Sequence, residues 1–391
     1  MSELIAIICE YNPFHSGHKL QIDELKKRFS DAKIVAIMSG NCTQRAEFAI
    51  MNKYSRAEAA VICGVDAVFE IPYPYSSSSA EVFARAGVYI ASQLGATHLC
   101  FGSENNDIEY LKDIADTVDG DEYKNILAEM IDSDKGISYP KMREKALSKL
   151  NKTVPCMPND ILGVEYIRAT KSIDPKIIPV AIKRMGQGYK EYEISDIMSA
   201  GAIRKFFYDK GKFVSVPSIC LEIYKREAAI GNVLDEKSAK DFIHKNMMMS
   251  NPGDFEGIYD MSDGMEYFII STAEESKNGK DFFEALTSKS FTRARLARVA
   301  MYKVLEIESI DNFPKYTTVL AINKNGRDLL KSLKKSTELE ILVKIGDYKK
   351  MSKEAVLQFE KSIAVDKLYL TLMKNQQAPT CAYKYSPFIQ K

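Results

Sequence analysis

The sequence predicts an α/β protein: a Rossmann-like, doubly wound parallel sheet over residues 1–205, followed by a mainly α-helical C-terminal domain over residues 206–391. Three observations lead there. Short apolar runs of β-forming residues recur at Leu4–Cys9, Lys33–Met38, Ala67–Ile71 and Thr97–Phe101, with helical segments between them. The runs stop at turn-forming residues: Glu10-Tyr11-Asn12-Pro13, Ser39-Gly40-Asn41, Pro72 with Pro74, and Gly102-Ser103-Glu104. Beyond about Phe206 the alternation is lost and the chain reads as mostly helical.

Taken in order, Leu4–Cys9 is long enough for a buried strand, and Pro13 forbids its ladder from continuing. Phe14-His15-Ser16-Gly17-His18 leads into an amphipathic helix with Leu20, Ile22 and Leu25 on its apolar side. Lys33–Met38 is a second strand, and the alanine-rich Ser55–Cys63 is a helix closed by Gly64. Ala67–Ile71 is a third strand. The serine run Ser76–Ser79 caps a helix that reaches Leu94 and ends at Gly95, and Thr97–Phe101 is a fourth strand. Residues 107–150 read as a charged helical insertion, on the surface or forming a lid. Pro155, Pro158 and Asn159-Asp160 open a helix over Ile161–Thr170, and Lys176–Met185 is a further strand ending in Lys183-Arg184. The Gly-rich stretch Gly186–Gly188 follows, and a helix begins near Ala200. In the second half, Thr317–Ala321 and Leu339–Val343 read as short strands around the Lys-rich helix Lys324–Lys335.

A chain of 391 residues exceeds the size of a usual single core, which suits two domains. A net charge of +1 excludes a strongly basic protein and leaves only local patches for nucleic acid, so no DNA partner is expected. The apolar runs are short and interrupted by charge, so no membrane span is expected, and the start of the chain reads as unprocessed and cytoplasmic. Seven cysteines (Cys9, Cys42, Cys63, Cys100, Cys156, Cys220, Cys381) form no C-x-x-C pair and read as reduced, mostly core residues without a structural zinc.

The chemistry concentrates at the first strand. A strand, a tight turn and a helix start place free backbone N–H groups and a positive dipole end against a phosphate. His15 and His18 stand one helical turn apart there, so both rings can face one anion and neutralise its charge, and Gly17 leaves a ligand room against the backbone. This pattern suits nucleotidyl transfer, in which charge builds on the α-phosphate as pyrophosphate leaves. A metal pair lacks a third ligand at standard spacing, so none is expected; ordinary helix-start histidines are the other alternative. Met198-Ser199-Ala200-Gly201-Ala202-Ile203-Arg204 reads as a capped helix start with a cation one turn in. It resembles the second signature of the HIGH-type nucleotidyltransferases, which implies a grip on the β- and γ-phosphates; the alternative is a plain cap with a solvated arginine. Arg45, Lys53, Arg56 and Arg184 lie near strand ends, Arg184 most suggestively. His98 reads as structural and His244 as uninformative. The segment 289–303 carries Lys289, Arg293, Arg295, Arg298 and Lys303 without an acid, interleaved with Phe291 and Tyr302; it could hold an RNA backbone or be a solvated helix face.

Seven segments together (Ile7–His18, Met38–Arg45, Ala84–Ile90, Leu99–Glu104, Pro158–Ile167, Ile182–Arg184 and Ser199–Lys205) resemble the bacterial tRNA(Met) cytidine acetate ligase family, of the HIGH nucleotidyltransferase type. The likeness continues more thinly through Thr292–Arg298 and Tyr316–Leu329. It implies an ATP-dependent ligase that joins free acetate to the wobble cytidine of elongator tRNA(Met) through acetyl-adenylate, with Mg2+ accompanying ATP. It also implies an ATP site formed by Ile7, Ile8, Cys9, Glu10, Tyr11, Asn12, Pro13 and Phe14, by His15, Ser16, Gly17, His18, Lys19 and Leu20, and by Gly102, Asn159, Arg184 and Met185. His15, His18 and Arg204 would stabilise the phosphates during transfer, with Lys53 assisting, and Arg293, Arg295 and Arg298 would hold RNA. This sequence has Gly201 where the family usually has threonine, Ala46 in place of glycine and Phe48 in place of proline. A small-molecule nucleotidyltransferase and a catalytically decayed RNA-binding homologue are the alternatives.

Overall fold

The computed structural model describes residues 3–133, 137–155, 157–184, 197–333 and 337–390. Four strands, β1 (Leu4–Cys9), β2 (Lys33–Ser39), β3 (Ala67–Ile71) and β4 (His98–Ser103), alternate with α1 (Ser16–Arg28), α2 (Lys53–Ile62) and α3 (Ala80–Gln93). β1 lies between β2 and β4, parallel to both, with Ile5 opposite Ile34 on one side and His98 on the other. Successive residues of β1 serve opposite cores: Leu4, Ala6 and Ile8 pack under α3, and Ile5 and Ile7 pack on the side of α1 and α2. Burial on both faces is why these strands read as unbroken apolar runs.

The segment 107–150 is helical, as expected, but it packs into the core and is not a lid. It forms α4 (Ile108–Asp119), α5 (Asp121–Ser133) and α6 (Tyr139–Lys149). Leu111, Ile114, Ala115 and Val118 make an apolar stripe at helical spacing, and with Tyr123, Leu127 and Leu147 they join the core beneath α3 and α7 (Pro158–Ile173). Leu20 also departs from expectation. It is 43% exposed, because two residues along a helix is a rotation of about 200° away from the buried Ile22. β5 (Ile178–Lys183) pairs in parallel with β4. Met185, Gly186–Gly188, Cys156, Lys334 and Lys335 lie outside the described residues.

The remaining helices are α8 (Ala200–Lys210), α9 (Ser218–Ala229), α10 (Glu236–Met248), α11 (Met265–Glu275), α12 (Gly279–Ala285), α13 (Arg293–Val304), α14 (Lys324–Leu333) and α15 (Lys353–Thr371). Residues of α10 to α13 and α15 build a second core that includes Ile243, Phe282, Leu296 and Phe359 and takes in Cys42, Phe48 and Tyr73 from the first half. The expected late strands are β6 (Tyr316–Ile322) and β7 (Glu340–Leu342), and they join the first sheet: β6 runs antiparallel to β3, and β7 and β8 (Phe388–Ile389) run parallel to β6. The resulting order is β5-β4-β1-β2-β3-β6-β7. An edge strand leaves a row of backbone groups unpaired, and β6 satisfies those of β3. Chain order reverses around β1, which sets a crevice at the carboxyl ends of β1 and β4.

Candidate active site

The crevice is built on a rigid turn. Asn12 is buried, and its Oδ1 accepts the Ile50 N–H at 2.9 Å. Arg56 is fully buried and donates to the carbonyls of Glu10 and Gly40, to Ser39 O at 3.2 Å and to Met51 O at 3.1 Å. It therefore ties the carboxyl end of β1 to that of β2. From the sequence Arg56 was one cation among several near strand ends; nothing local marks it as the brace. Tyr224 of α9 donates to Phe14 O at 2.8 Å and fixes the far side of the turn.

His15 is the N-cap of α1. Its Nδ1 accepts the Gly17 N–H at 3.0 Å, and His18 Nδ1 accepts the His15 N–H at 3.2 Å, a capping box made of two imidazoles. The ring centroids lie 3.8 Å apart. Because each Nδ1 accepts, each neutral ring carries its proton on Nε2, and neither Nε2 has a partner among the described residues. Burial, and then the positive charge of Arg184, push the pKa of His15 down to about 3. Burial, His15 and Arg184 hold His18 well below the usual histidine range. Both rings are therefore held neutral here, each with an N–H donor at Nε2.

Two further sequence expectations change here. The backbone N–H groups of the first turn are not free. Ser16 N donates to Ser215 O at 3.0 Å, Gly17 N to the His15 ring, and His18 N and Lys19 N to His15 O. The imidazole Nε2–H groups stand in for them as donors. Gly17 also serves a different purpose, since a Cβ there would meet His15 Cε1 at 2.8 Å; the cap, rather than a ligand, requires glycine.

Gly102, Asn159 and Arg184 converge at the ends of β4 and β5. Arg184 N donates to Ser103 O at 2.9 Å and its Nη1 to Asn159 Oδ1 at 3.0 Å. A Cβ on Gly102 would sit 3.0 Å from Arg184 Cγ, so the glycine admits the arginine stem. Arg204, in the first turn of α8 behind its N-cap Ser199, donates to Asn12 O at 2.8 Å and lies 3.3 Å from Glu47 Oε2. Among the described residues nothing lies within 4 Å of a Cβ built on Gly201. The structure thus brings His15, His18, Gly102, Asn159, Arg184 and Arg204 to one crevice. Of the first stretch, Ile7, Ile8, Tyr11 and Phe14 are buried as core, and Lys19 pairs with Asp23 on the surface of α1.

Lys53 does not join them. Its ammonium is 3% exposed and bonded to both oxygens of Glu70, at 2.7 and 2.9 Å, and to Asp366 of α15 at 2.6 Å. Burial pulls its pKa down, but Asp366 and Glu70 outweigh that and hold it well above the ordinary lysine value. A cation committed to two buried acids is a structural one. Arg295 and Arg298 are also engaged: Arg295 Nε lies 2.9 Å and Arg298 Nη2 3.3 Å from the Asp260 carboxylate, and Arg298 is 7% exposed. Arg293 is exposed. His98 and His244 are buried elsewhere, bonded to Thr97 and to the Ala273 carbonyl. Among the described residues no group of three or more His, Cys, Asp or Glu converges to hold a metal, and no helix is long and apolar enough to cross a membrane. The six described cysteines are free thiols.

Residues 2–383 match the family model described as HIGH Nucleotidyl Transferase. The tRNA(Met) cytidine acetate ligase of Caldanaerobacter subterraneus subsp. tengcongensis is 35% identical over 391 residues, spanning 95% of this chain and 96% of the relative. The ligase of the same name from Acetivibrio thermocellus is 31% identical over 400 residues, spanning 95% of this chain and 96% of the relative. Crystal structures of Thermotoga maritima TmcAL, one bound with alpha-thio ATP and one apo, superpose with TM-scores of 0.89 and 0.90 at 29% identity, each covering 99% of both chains. The chain belongs to the HIGH nucleotidyl transferase family and, within it, to the tRNA(Met) cytidine acetate ligases.

Proposed function

We propose that this protein is an ATP-dependent ligase that forms N4-acetylcytidine at the wobble position of elongator tRNA(Met). Acetate attacks the α-phosphorus of ATP; a new C(O)O–P bond forms, the bond to the β-phosphate oxygen breaks, and pyrophosphate leaves. The N4 amine of the cytidine then attacks the acetyl carbon of this mixed anhydride. The N–C bond forms, the C–O bond to AMP breaks, and the amine gives up a proton. The observation that carries this reading is the pair of neutral imidazoles at the start of α1, each with Nδ1 tied back and with Nε2–H uncommitted among the described residues. Fixed donors aimed where charge builds lower a barrier without reorganising. Neutral donors suit this task, because they bind the α-phosphate oxygens without holding the departing pyrophosphate as a cation would. Arg204 would meet the outer phosphates, and Asn159 and Arg184 the nucleoside side.

Mg2+ would accompany ATP, held chiefly through the nucleotide phosphates. Residues 206–391 would bind the RNA, with Arg293 as the exposed cation of α13. A chain of contacts supports this placement. Glu10 Oε1 accepts the Gln44 N–H at 2.8 Å, Gln44 Nε2 donates to Ser78 O at 3.0 Å, and Ser78 Oγ lies 3.0 Å from the Tyr302 hydroxyl of α13. These contacts link α13 to the end of β1 through Tyr302, and an unstacked anticodon base would have to be presented to the crevice from that side. The activity is placed in the cytoplasm, with neither membrane nor DNA involved. Arg204 keeps its place beside Asn12 although Gly201 lacks a hydroxyl, which argues against a decayed site.

The test supplies ATP, labelled acetate and a tRNA(Met) transcript. Label in the wobble cytidine, with one AMP and one pyrophosphate released per acetyl group, is the expected result. Acetate-dependent ATP–pyrophosphate exchange that needs no tRNA would place adenylation first. A transcript that stays unlabelled overturns the proposal.

A further inference from the structure

Beside the residues placed above, one cluster is more closely tied than a helix cap needs. Asp160, 4% exposed in the first turn of α7, accepts Ser103 Oγ at 2.5 Å, the Glu104 N–H at 3.1 Å and the Asn105 N–H at 3.2 Å. Glu104 returns the contact. Its Oε2 accepts the Asp160 N–H at 3.2 Å, and its Oε1 accepts the side-chain N–H of Asn159. Arg184 closes the ring, with Nη1 donating to Asn159 Oδ1 at 3.0 Å and Nε 3.9 Å from Glu104 Oε1.

The consequence falls on Asn159. Its nitrogen faces an acid and its oxygen faces a guanidinium, so a flip of the amide would replace two hydrogen bonds with two repulsions. One N–H and one lone pair stay uncommitted among the described residues, in a set order. That order matters to a purine. Adenine offers an N6–H donor beside a ring-nitrogen acceptor, which an asparagine amide matches on both atoms. Guanine puts an acceptor, O6, at the same place, where it would meet the amide oxygen. Glu104 itself is an unsuitable phosphate ligand, because like charges repel.

We propose that Glu104 is a positioning residue that fixes the amide of Asn159 and so sets the choice of adenine over guanine in the nucleotide. This rests on the reading of the crevice as an ATP site. Glu104→Gln keeps the shape but removes the charge that orients the amide; Glu104→Asp keeps the charge but withdraws it. Binding of ATP and of GTP to the full-length protein is measured by calorimetry, with thermal melting to confirm folding, and the two variants secure the test if one fails to fold. The expected result is a fall of about tenfold or more in the ATP-to-GTP affinity ratio in either folded variant, the scale of one bidentate base contact. A ratio equal to wild type in a folded variant overturns the assignment, and so does an equal loss of both nucleotides, which is what a merely structural residue would give. Wild-type protein that binds neither nucleotide overturns the ATP reading and this assignment with it.

Discussion

Two helices start just after the first two strands, and they treat their polar groups in opposite ways. At the start of α1 the capping groups are His15 and His18, whose Nδ1 atoms are satisfied internally and whose Nε2–H groups are left over. At the start of α2 the N-cap is Asn52, and the adjoining Lys53 gives its ammonium to Glu70 and Asp366. Both starts have a cation or imidazole near a strand end, and both look like anion sites in the sequence. The difference teaches that a site is marked by donors the fold leaves uncommitted, not by the residue types alone.

The largest test of that contrast is Lys53→Met. Removing one partner of a buried ion pair leaves two carboxylates uncompensated, and a loss of about 3–5 kcal/mol is expected in chemical denaturation. Activity per folded molecule should hold; a variant of full stability with lost adenylation would return Lys53 to the crevice. Next comes the double change His15→Asn with His18→Asn. Asparagine is a good N-cap, so the start of α1 should survive, whereas acetate-dependent pyrophosphate exchange should fall about 10²–10³-fold, the cost of removing a preorganised donor. Exchange at the wild-type rate would refute the donor role.

A smaller effect concerns pH. His15 in the folded protein titrates near pH 3, against 6.5 for an unperturbed histidine. Between those values the unfolded chain binds the extra proton, so the stability that the neutral ring allows is complete above pH 6.5 and declines as the pH falls toward 3. The slope for one such group is at most about 1.4 kcal/mol per pH unit. The stability read from denaturation curves should therefore fall more, from pH 7.5 down, in wild type than in His15→Asn. The smallest effect lies in the connection leading into α2. Ala46 stands at φ 58°, in the left-handed region, where glycine is at ease. Ala46→Gly should raise stability by about 0.5–1 kcal/mol, read as a higher melting temperature, and a lower one would show that the Ala46 methyl packs better than its backbone suffers.

Much of α1 was legible because its logic is local. A run of apolar residues, a proline and two histidines one turn apart decide a strand end and a helix start from within a dozen residues. The ring tautomers and the occupied first-turn amides were not legible, since they depend on which atom of each imidazole turns inward. The fate of Lys53 was hidden for a different reason: Asp366 lies 313 residues away along the chain. Arg204 shows the reverse case. Its place one turn into a capped helix was readable, but not its partner Asn12, 192 residues distant. The segment 107–150 is helical as its pattern predicts, but its charge masks the stripe Leu111, Ile114, Ala115 and Val118 that ties it to the core.

By itself the sequence determined the strand and helix alternation of the first half, the position of the crevice at the end of β1 and the family to which the motifs point. The alternation and the crevice follow from short-range periodicity and turn chemistry, and the family from the resemblance of the seven motif segments. The tertiary structure alone decided that β6 completes the sheet on β3, that Arg56 braces the crevice, and which cations are consumed by buried acids. Charge pairing and strand pairing act through space, so partners hundreds of residues apart stay unidentified until the chain has folded.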